Sequence, residues 1–477
     1  MKLNGLGLRI AAVLALCLML VATCFAGEAP VSAEAGDQFF HSRSLGSPYT
    51  TGIPYALWLA MMERYPEELG ANWGEFRDKF GLLEDPARPA GLPVGFVLYD
   101  TKATATRFLM TNCAVCHTGE INGQVINGLG SRSIRIHAFN SAVMHIARRD
   151  DFTPSQMLPL SAAAARRNHV PWGWRSRYVT KKAIKQLKTL SATYVEIDAG
   201  PGRSGVLEFT KAIHKQKVEP PYGFIRIHSV WTYRKRESFG MDGLMTGDLG
   251  AALAAVEFNK GMPANYIVDH PNQWASLYEY VKTVPAPKYP GPIDFDLAQQ
   301  GEQVFETACA RCHGTYAPGA QPYKEKIIPV ARVGTDSDRL RSITPELTTA
   351  TNNSVFGKYV QVANTGGYVA PPLDAIWCRG PYLHNGSVPT LADLLLPAAQ
   401  RPISFFIGGD TAYDLQRLGV AYREDLAPDG SRRGVRASAK QYEFNTRDPA
   451  NGNNGHEFSN KLSAEESAAL LEYLKTL

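Results

Sequence analysis

Two short stretches, TNCAVCHTG and TACARCHGT, constrain this chain more than its overall composition does. They set Cys113, Cys116 and His117, and then Cys309, Cys312 and His313, in the same C-x-x-C-H order. Two thiols three positions apart on one helical turn can add to the two vinyl groups of one porphyrin. The next residue then turns its imidazole beneath the iron. A closed zinc site needs four ligands in tetrahedral spacing, and no second His/Cys pair accompanies either motif. A thioredoxin-like dithiol does not require the histidine. The motifs therefore predict two covalently bound c-type haems, with His117 and His313 as proximal iron ligands.

The N-terminus agrees with that chemistry. MKLNGLGLRIAAVLALCLMLVATCFAGEAP has basic Lys2 and Arg9, an apolar run from residue 10 to 21 and a small residue at Ala26. This predicts a signal peptide over residues 1–26 and a periplasmic or secreted mature protein, outside the cytoplasm, where c-type haem is attached. A retained membrane anchor is the alternative, the run being near the lower length limit for spanning, and a lipid site at Cys24 follows an unfavourable Thr23. No later run is long and apolar enough to span a membrane. Of the seven cysteines, two fall in this leader and four in the motifs. The fifth of the mature chain, Cys378, reads as a small buried apolar thiol. A net charge of +5 with no basic stripe argues against nucleic acid.

Residues 27–280 then read as an N-terminal haem domain, 281–294 (VKTVPAPKYPGPID) as a proline-rich extended linker, and 295–477 as a C-terminal cytochrome c domain. Helical candidates are residues 54–64, the segment entering Cys113, residues 183–190 and residues 249–258. Asp296 with Gln299 and Ser463 with Glu466 resemble capping boxes opening two amphipathic helices. No repeat is evident beyond the C-x-x-C-H motif. The expected fold class is mainly α: two cytochrome c-type haem domains with long irregular loops.

The stretch GYVAPPLDAIWCRGPYLHNGSVPTLADLLLPAAQRP strongly resembles the C-terminal domain of dihaem cytochromes in the bacterial cytochrome c peroxidase superfamily. GPGR at 200–203, SFGMDG at 238–243 and NNGHEFSNKLSAEESAALLEYLKTL resemble its rubber oxygenase-like branch. Rubber oxygenases are considerably longer, so inserted substrate-binding loops are missing. In that fold the first and last helices of the domain cross closely, which would let Tyr473 pack against Gly301 and Phe305. The resemblance implies that His456 binds the second iron while His384 lies beside the haem edge. His384 stays the alternative ligand. Arg379 and His384 would then neutralise propionates. It also implies Phe239 near the distal face of the first haem, where an apolar ring favours dioxygen over peroxide cleavage, and Trp172 or Trp174 as an aromatic bridge between haems. His137, His145, His169, His214 and His228 are further candidates for ligand or base, each more often structural.

The functional expectation is an exported dihaem oxidoreductase that reacts with dioxygen or peroxide at the N-terminal haem and relays electrons through the C-terminal one. A small cytochrome or cupredoxin would be its redox partner. A hydrogen peroxide-reducing peroxidase and a non-enzymatic dihaem electron carrier are the alternatives.

Overall fold

Two glycines show how the main helices meet. A computed structural model describes residues 29–85, 91–255, 264–317, 319 and 321–477. The expected signal peptide, with Cys17 and Cys24, lies outside the described residues, as do residues 256–258. Helix Phe295–Ala308 crosses helix Ala464–Leu474 at Gly301. A Cβ there would stand 2.5 Å from the Ala469 carbonyl carbon and 2.8 Å from Tyr473 Cβ. Phe305 and Tyr473 close the crossing with rings 5.3 Å apart.

Helix Ala33–His41 crosses helix Pro271–Thr283 in the same way. A Cβ on Gly36 would stand 2.6 Å from the Ser276 carbonyl carbon and 2.7 Å from Tyr280 Cβ. Phe40 and Tyr280 also lie 5.3 Å apart. Phe40, Leu277, Phe305, Leu470 and Tyr473 belong to one continuous buried cluster with Trp231 and Trp377, so both crossings feed a common core.

The chain is 43% helix and 15% strand, with many small sheets, which overturns the expectation of a mainly α fold made of two haem domains. The segment entering Cys113 shows why. It is strand Thr106–Thr111, not a helix, paired antiparallel with Phe96–Thr101 from Phe96↔Thr111 to Thr101↔Thr106. FVLYDT and TRFLMT are rich in β-branched and aromatic residues, which favour a pleated, half-buried ladder. Elsewhere the loops satisfy backbone groups by short pairings, since buried N–H and C=O groups need partners. Ser404–Ile407 pairs with Tyr442–Asn445 and Arg432–Val435, and Arg432–Val435 with Arg423–Leu426, in one four-stranded sheet. Met245–Gly247 pairs antiparallel with Val360–Val362, tying the first half to the second.

Other elements shift at their ends. The helix expected from residue 54 runs Tyr55–Arg64, and the one expected at 183–190 runs Trp174–Thr193. Asp294 rather than Asp296 caps Phe295–Ala308, accepting from Leu297 N–H at 3.0 Å. Ser463 and Glu466 form the capping box read from the sequence. The proline-rich segment is extended from Val284 onward but closely packed. Val284 is buried, Trp377 Nε1–H donates to the Pro287 carbonyl at 3.1 Å, and Tyr289 O–H to that of Leu415. Among the described residues no helix is long and apolar enough to cross a membrane.

Candidate haem sites

Each C-x-x-C-H folds as a single helical turn. In the first, residues Ala114–His117 are helical and His117 N–H donates to the Cys113 carbonyl at 2.9 Å. In the second, residues Ala310–His313 are helical and His313 N–H donates to the Cys309 carbonyl at 3.1 Å. The four thiol-bearing residues are half-buried. That turn presents both cysteines of a motif along one edge, the spacing that thioether attachment demands.

The imidazoles are oriented alike. His117 Nδ1 bonds the His228 carbonyl at 3.0 Å, and His313 Nδ1 bonds the Pro371 carbonyl at 2.9 Å. A carbonyl accepts only, so each Nδ1 carries the proton and each Nε2 the lone pair. That tautomer is the one an iron requires, held by a partner behind the ring. His228 cannot also ligate that iron from the far side. Its own carbonyl is fixed at the Nδ1 edge of His117, and its ring, 5.6 Å from that of His117, lies behind the ligand. Its Nε2 pairs with Tyr233 Oη at 2.8 Å.

The second site has a facing histidine. The rings of His313 and His456 are 6.2 Å apart, centre to centre. Two imidazoles on opposite faces of one iron, with Fe–N bonds of about 2 Å each, would stand roughly 6 Å apart. His456 takes φ +53° and its N–H donates to the Val333 carbonyl at 2.6 Å. Arg401 straps the loop before it, donating to the carbonyls of Asn453 at 2.6 Å and Gly455 at 2.8 Å, and to those of Leu394 and Leu396. Burial, then His313 and Arg401, push the His456 pKa down to about 3, so the imidazole is neutral, the form able to bind a metal.

A repeat of these details escaped the sequence reading. Phe239 lies eleven residues after His228, and Tyr382 eleven after Pro371. Each opens a turn closed by a backbone bridge to the sixth residue on, Phe239↔Met245 and Tyr382↔Val388. The next residue is left-handed in both (Gly240 φ +94°, Leu383 φ +64°), as is the fourth (Gly243 φ +66°, Gly386 φ +73°). Fully buried Asp242 and Asn385 accept from Leu244 N–H and Ser387 N–H. The two halves thus share a crossing helix pair, an attachment turn, a carbonyl for the histidine and a six-residue turn.

One residue links the copies. Trp231, fully buried, lies three residues after His228, and its Nε1–H donates at 3.0 Å to the carbonyl of Asp374, three residues after Pro371. Trp172, proposed as a bridge, is half-buried against the cluster formed by the N-terminal helices, and Trp174 is 75% exposed. Phe239 stacks on Tyr233 at 5.3 Å and meets His228 edge-on at 6.0 Å. His384 stacks on Tyr368 at 4.1 Å, with its Nε2 3.1 Å from Tyr368 Oη. Tyr368 donates its proton to the Asp336 carbonyl, so His384 Nε2–H is the donor of that pair. Arg379 is buried, holds the Pro372 carbonyl at 2.7 Å and leaves Nε without a partner. Cys378 is buried, its thiol against the Ala375 carbonyl. His137 accepts from Gly205 N–H at 2.9 Å, His145 faces Glu196, and His214 lies near Thr351. His169 is exposed, with φ +51°.

Residues 367–406, which span the Pro371 carbonyl and the turn at Tyr382, match the family described as RoxA-like, cytochrome c-like. The match supports kinship with the RoxA-like cytochromes c, and a cytochrome c-like domain implies a covalently bound c-type haem. The chain is also 30% identical to the uncharacterized protein y4iJ of Sinorhizobium fredii (strain NBRC 101917 / NGR234), over 40% of its own length and 41% of that protein. It is 31% identical to the uncharacterized protein y4iM of the same organism, over 42% of its length and 50% of that protein. The chain thus spans half or less of each of these relatives.

Proposed function

We propose that the chain is an exported dihaem c-type cytochrome and an oxidoreductase. One group would be held by Cys113, Cys116 and His117, the other by Cys309, Cys312, His313 and His456. When bound, the first would supply chemistry on dioxygen or peroxide and the second would store and relay electrons. The observation that carries this reading is the inequality of the two otherwise repeated sites. His456 faces His313 at iron-bridging distance, whereas the ring beside His117 is that of the residue whose carbonyl supports it from behind.

The chain's own groups divide the work accordingly. The His228 and Pro371 carbonyls fix the tautomer and azimuth of the proximal rings. Arg401 holds the His456 loop against four carbonyls, so that ligand is positioned before any cofactor arrives. Trp231 joins the two supports through one hydrogen bond, a shorter route than either tryptophan after the first motif offers. Phe239, Tyr233 and His228 pack together around the carbonyl that supports His117. A small cytochrome or cupredoxin as redox partner and a periplasmic setting complete the proposal.

The test is a reduced-minus-oxidised spectrum with and without carbon monoxide, on wild type and His456→Ala. Wild type should bind carbon monoxide at one haem of two, and the variant at both. Closure of both haems in wild type would return the protein to the electron carriers. An unchanged variant spectrum would remove His456 as a ligand.

A further inference from the structure

Residues 153–195 contain eight lysines and arginines and not one aspartate or glutamate, in a chain whose whole net charge is +5. Six of the eight, Arg175, Arg177, Lys181, Lys182, Lys185 and Lys188, lie on the single helix Trp174–Thr193. The stripe they form is not evident in the sequence as written, because residues three and four apart meet on one side only once the helix winds.

At about 100° per residue, Val179, Thr180, Ile184, Leu187 and Ser191 make up the inner, buried face of that helix. Trp174, Tyr178, Lys181 and Lys185 follow one another four, three and four residues apart along the outer side. Trp174 is 75% exposed and Tyr178 61%, and both lysines are exposed, as is Lys182 beside them. The ridge runs about 30 Å, with the two rings at one end and the lysines over the next turns.

The cations have no counter-charge. Arg175 donates to the Ala103 carbonyl at 3.3 Å and lies 5.1 Å from the centre of the Trp174 ring, and Lys188 donates to the Arg149 carbonyl at 3.1 Å. Among the described residues no carboxylate pairs with any of the six. Those of adjoining segments are engaged elsewhere: Glu63 by Arg167, Asp100 by Arg107, Asp151 by Arg64 and Arg149, and Glu196 by His145.

A single exposed ring is ordinary, but two rings on one ridge among six unpaired cations match a surface that is anionic outside and apolar just beneath. The buried cores of protein interfaces are depleted in lysine, and a convex ridge offers no pocket to a folded partner. A headgroup layer is fluid and fits around a ridge. It lets lysine stems lie along apolar surface while their ammonium groups meet phosphate.

We propose that the outer ridge of helix Trp174–Thr193 docks the protein on an anionic phospholipid surface. Lys181, Lys182 and Lys185 meet the headgroup phosphates, and the rings of Trp174 and Tyr178 seat at headgroup level. The helix lies on the bilayer while its apolar face stays packed in the protein. Neither haem takes part in this docking.

The experiment mixes the full chain with vesicles of phosphatidylcholine, alone or with phosphatidylglycerol added, at low and at physiological salt, and measures bound protein by sedimentation. Wild type should sediment with the phosphatidylglycerol vesicles, stay in solution with phosphatidylcholine alone, and bind more weakly as salt rises. Lys181→Gln combined with Lys185→Gln should weaken binding about thirtyfold, equivalent to about 2 kcal/mol at roughly 1 kcal/mol per lysine. Trp174→Ala should weaken it about tenfold at either salt, since the contribution of the ring is apolar. Arg433→Gln combined with Arg447→Gln removes the same charge from exposed positions in and beside the four-stranded sheet and should leave binding unchanged. Every substituted side chain is exposed, so the variants should melt with wild type. Equal losses in the two double variants would make the attraction one of net charge and overturn the ridge. Wild type left in solution by phosphatidylglycerol vesicles would overturn the membrane reading. Soluble poly-glutamate that then retained wild type but not the double lysine variant would give the face to an acidic protein instead.

Discussion

Replacing Gly301 by alanine tests the helix crossing on which the second site is built. In an exposed helix interior that change is stabilising by about 1 kcal/mol, because alanine is the better helix former. Here the new methyl would stand 2.5 Å from the Ala469 carbonyl carbon and 2.8 Å from Tyr473 Cβ. Relaxed carbon contacts lie at about 3.5–4.0 Å, so the helices must part by about 1 Å, which forfeits roughly a quarter to a half of the dispersion energy along the seam. Overpacking of this kind costs about 1–3 kcal/mol, and the weakened contacts of Phe305, Leu470 and Tyr473 bring the gross loss to about 3. Subtracting the propensity gain leaves a net destabilisation of about 2 kcal/mol, or about 4–8 °C in Tm for a unit of this size. Thermal unfolding followed by far-ultraviolet circular dichroism and by Soret absorbance reads both the helices and the haem environment. The change of sign is what makes the test sharp. A Gly301→Ala protein as stable as wild type, or more so, would refute the close crossing.

Two further expectations follow from single residues. Trp231→Phe keeps an aromatic ring but removes the hydrogen bond to Asp374. It should slow electron re-equilibration between the two proposed haems on the order of tenfold after flash reduction, equivalent to about 1.4 kcal/mol in barrier; an unchanged rate would exclude that route. His137, pushed down to about 4 mainly by burial, is held neutral in the fold, so the unfolded chain binds its proton first. Its stabilising effect is complete above about pH 6.5 and declines as pH falls toward 4, reaching a loss of about 2 kcal/mol at pH 5. His137→Gln retains an acceptor for Gly205 N–H, and its urea midpoint should fall less between pH 7 and pH 5 than that of wild type.

The attachment motifs were legible because their chemistry is local: three residues, one turn. The repeat was not, although traces of it are present. GDQFF at 36–40 and GEQVF at 301–305 carry the same Gly-x-x-x-Phe step, and FGMDG and YLHNG the same aromatic-x-x-Asx-Gly turn. What hides them is distance. The histidine and its carbonyl are separated by 111 residues in the first half and 58 in the second, so no fixed period exists to be found. Composition is silent on packing: the proline-rich stretch, read as an extended linker, is tied down where Trp377 donates to the Pro287 carbonyl and Tyr289 O–H to that of Leu415. The strands before Cys113 were missed because an apolar run entering a motif reads equally well as a helix until its pairing partner is known. Trp231 carries no signal of its own in sequence, since its importance lies in what stands opposite it.

The antiparallel pairing of Met245–Gly247 with Val360–Val362 has a kinetic corollary. This ladder and the bond from the Trp231 indole to the Asp374 carbonyl both tie the first half to the second and oppose a swing of one attachment turn toward the other. If the two turns carry the proposed haems, exchange of electrons between them should then be indifferent to solvent viscosity.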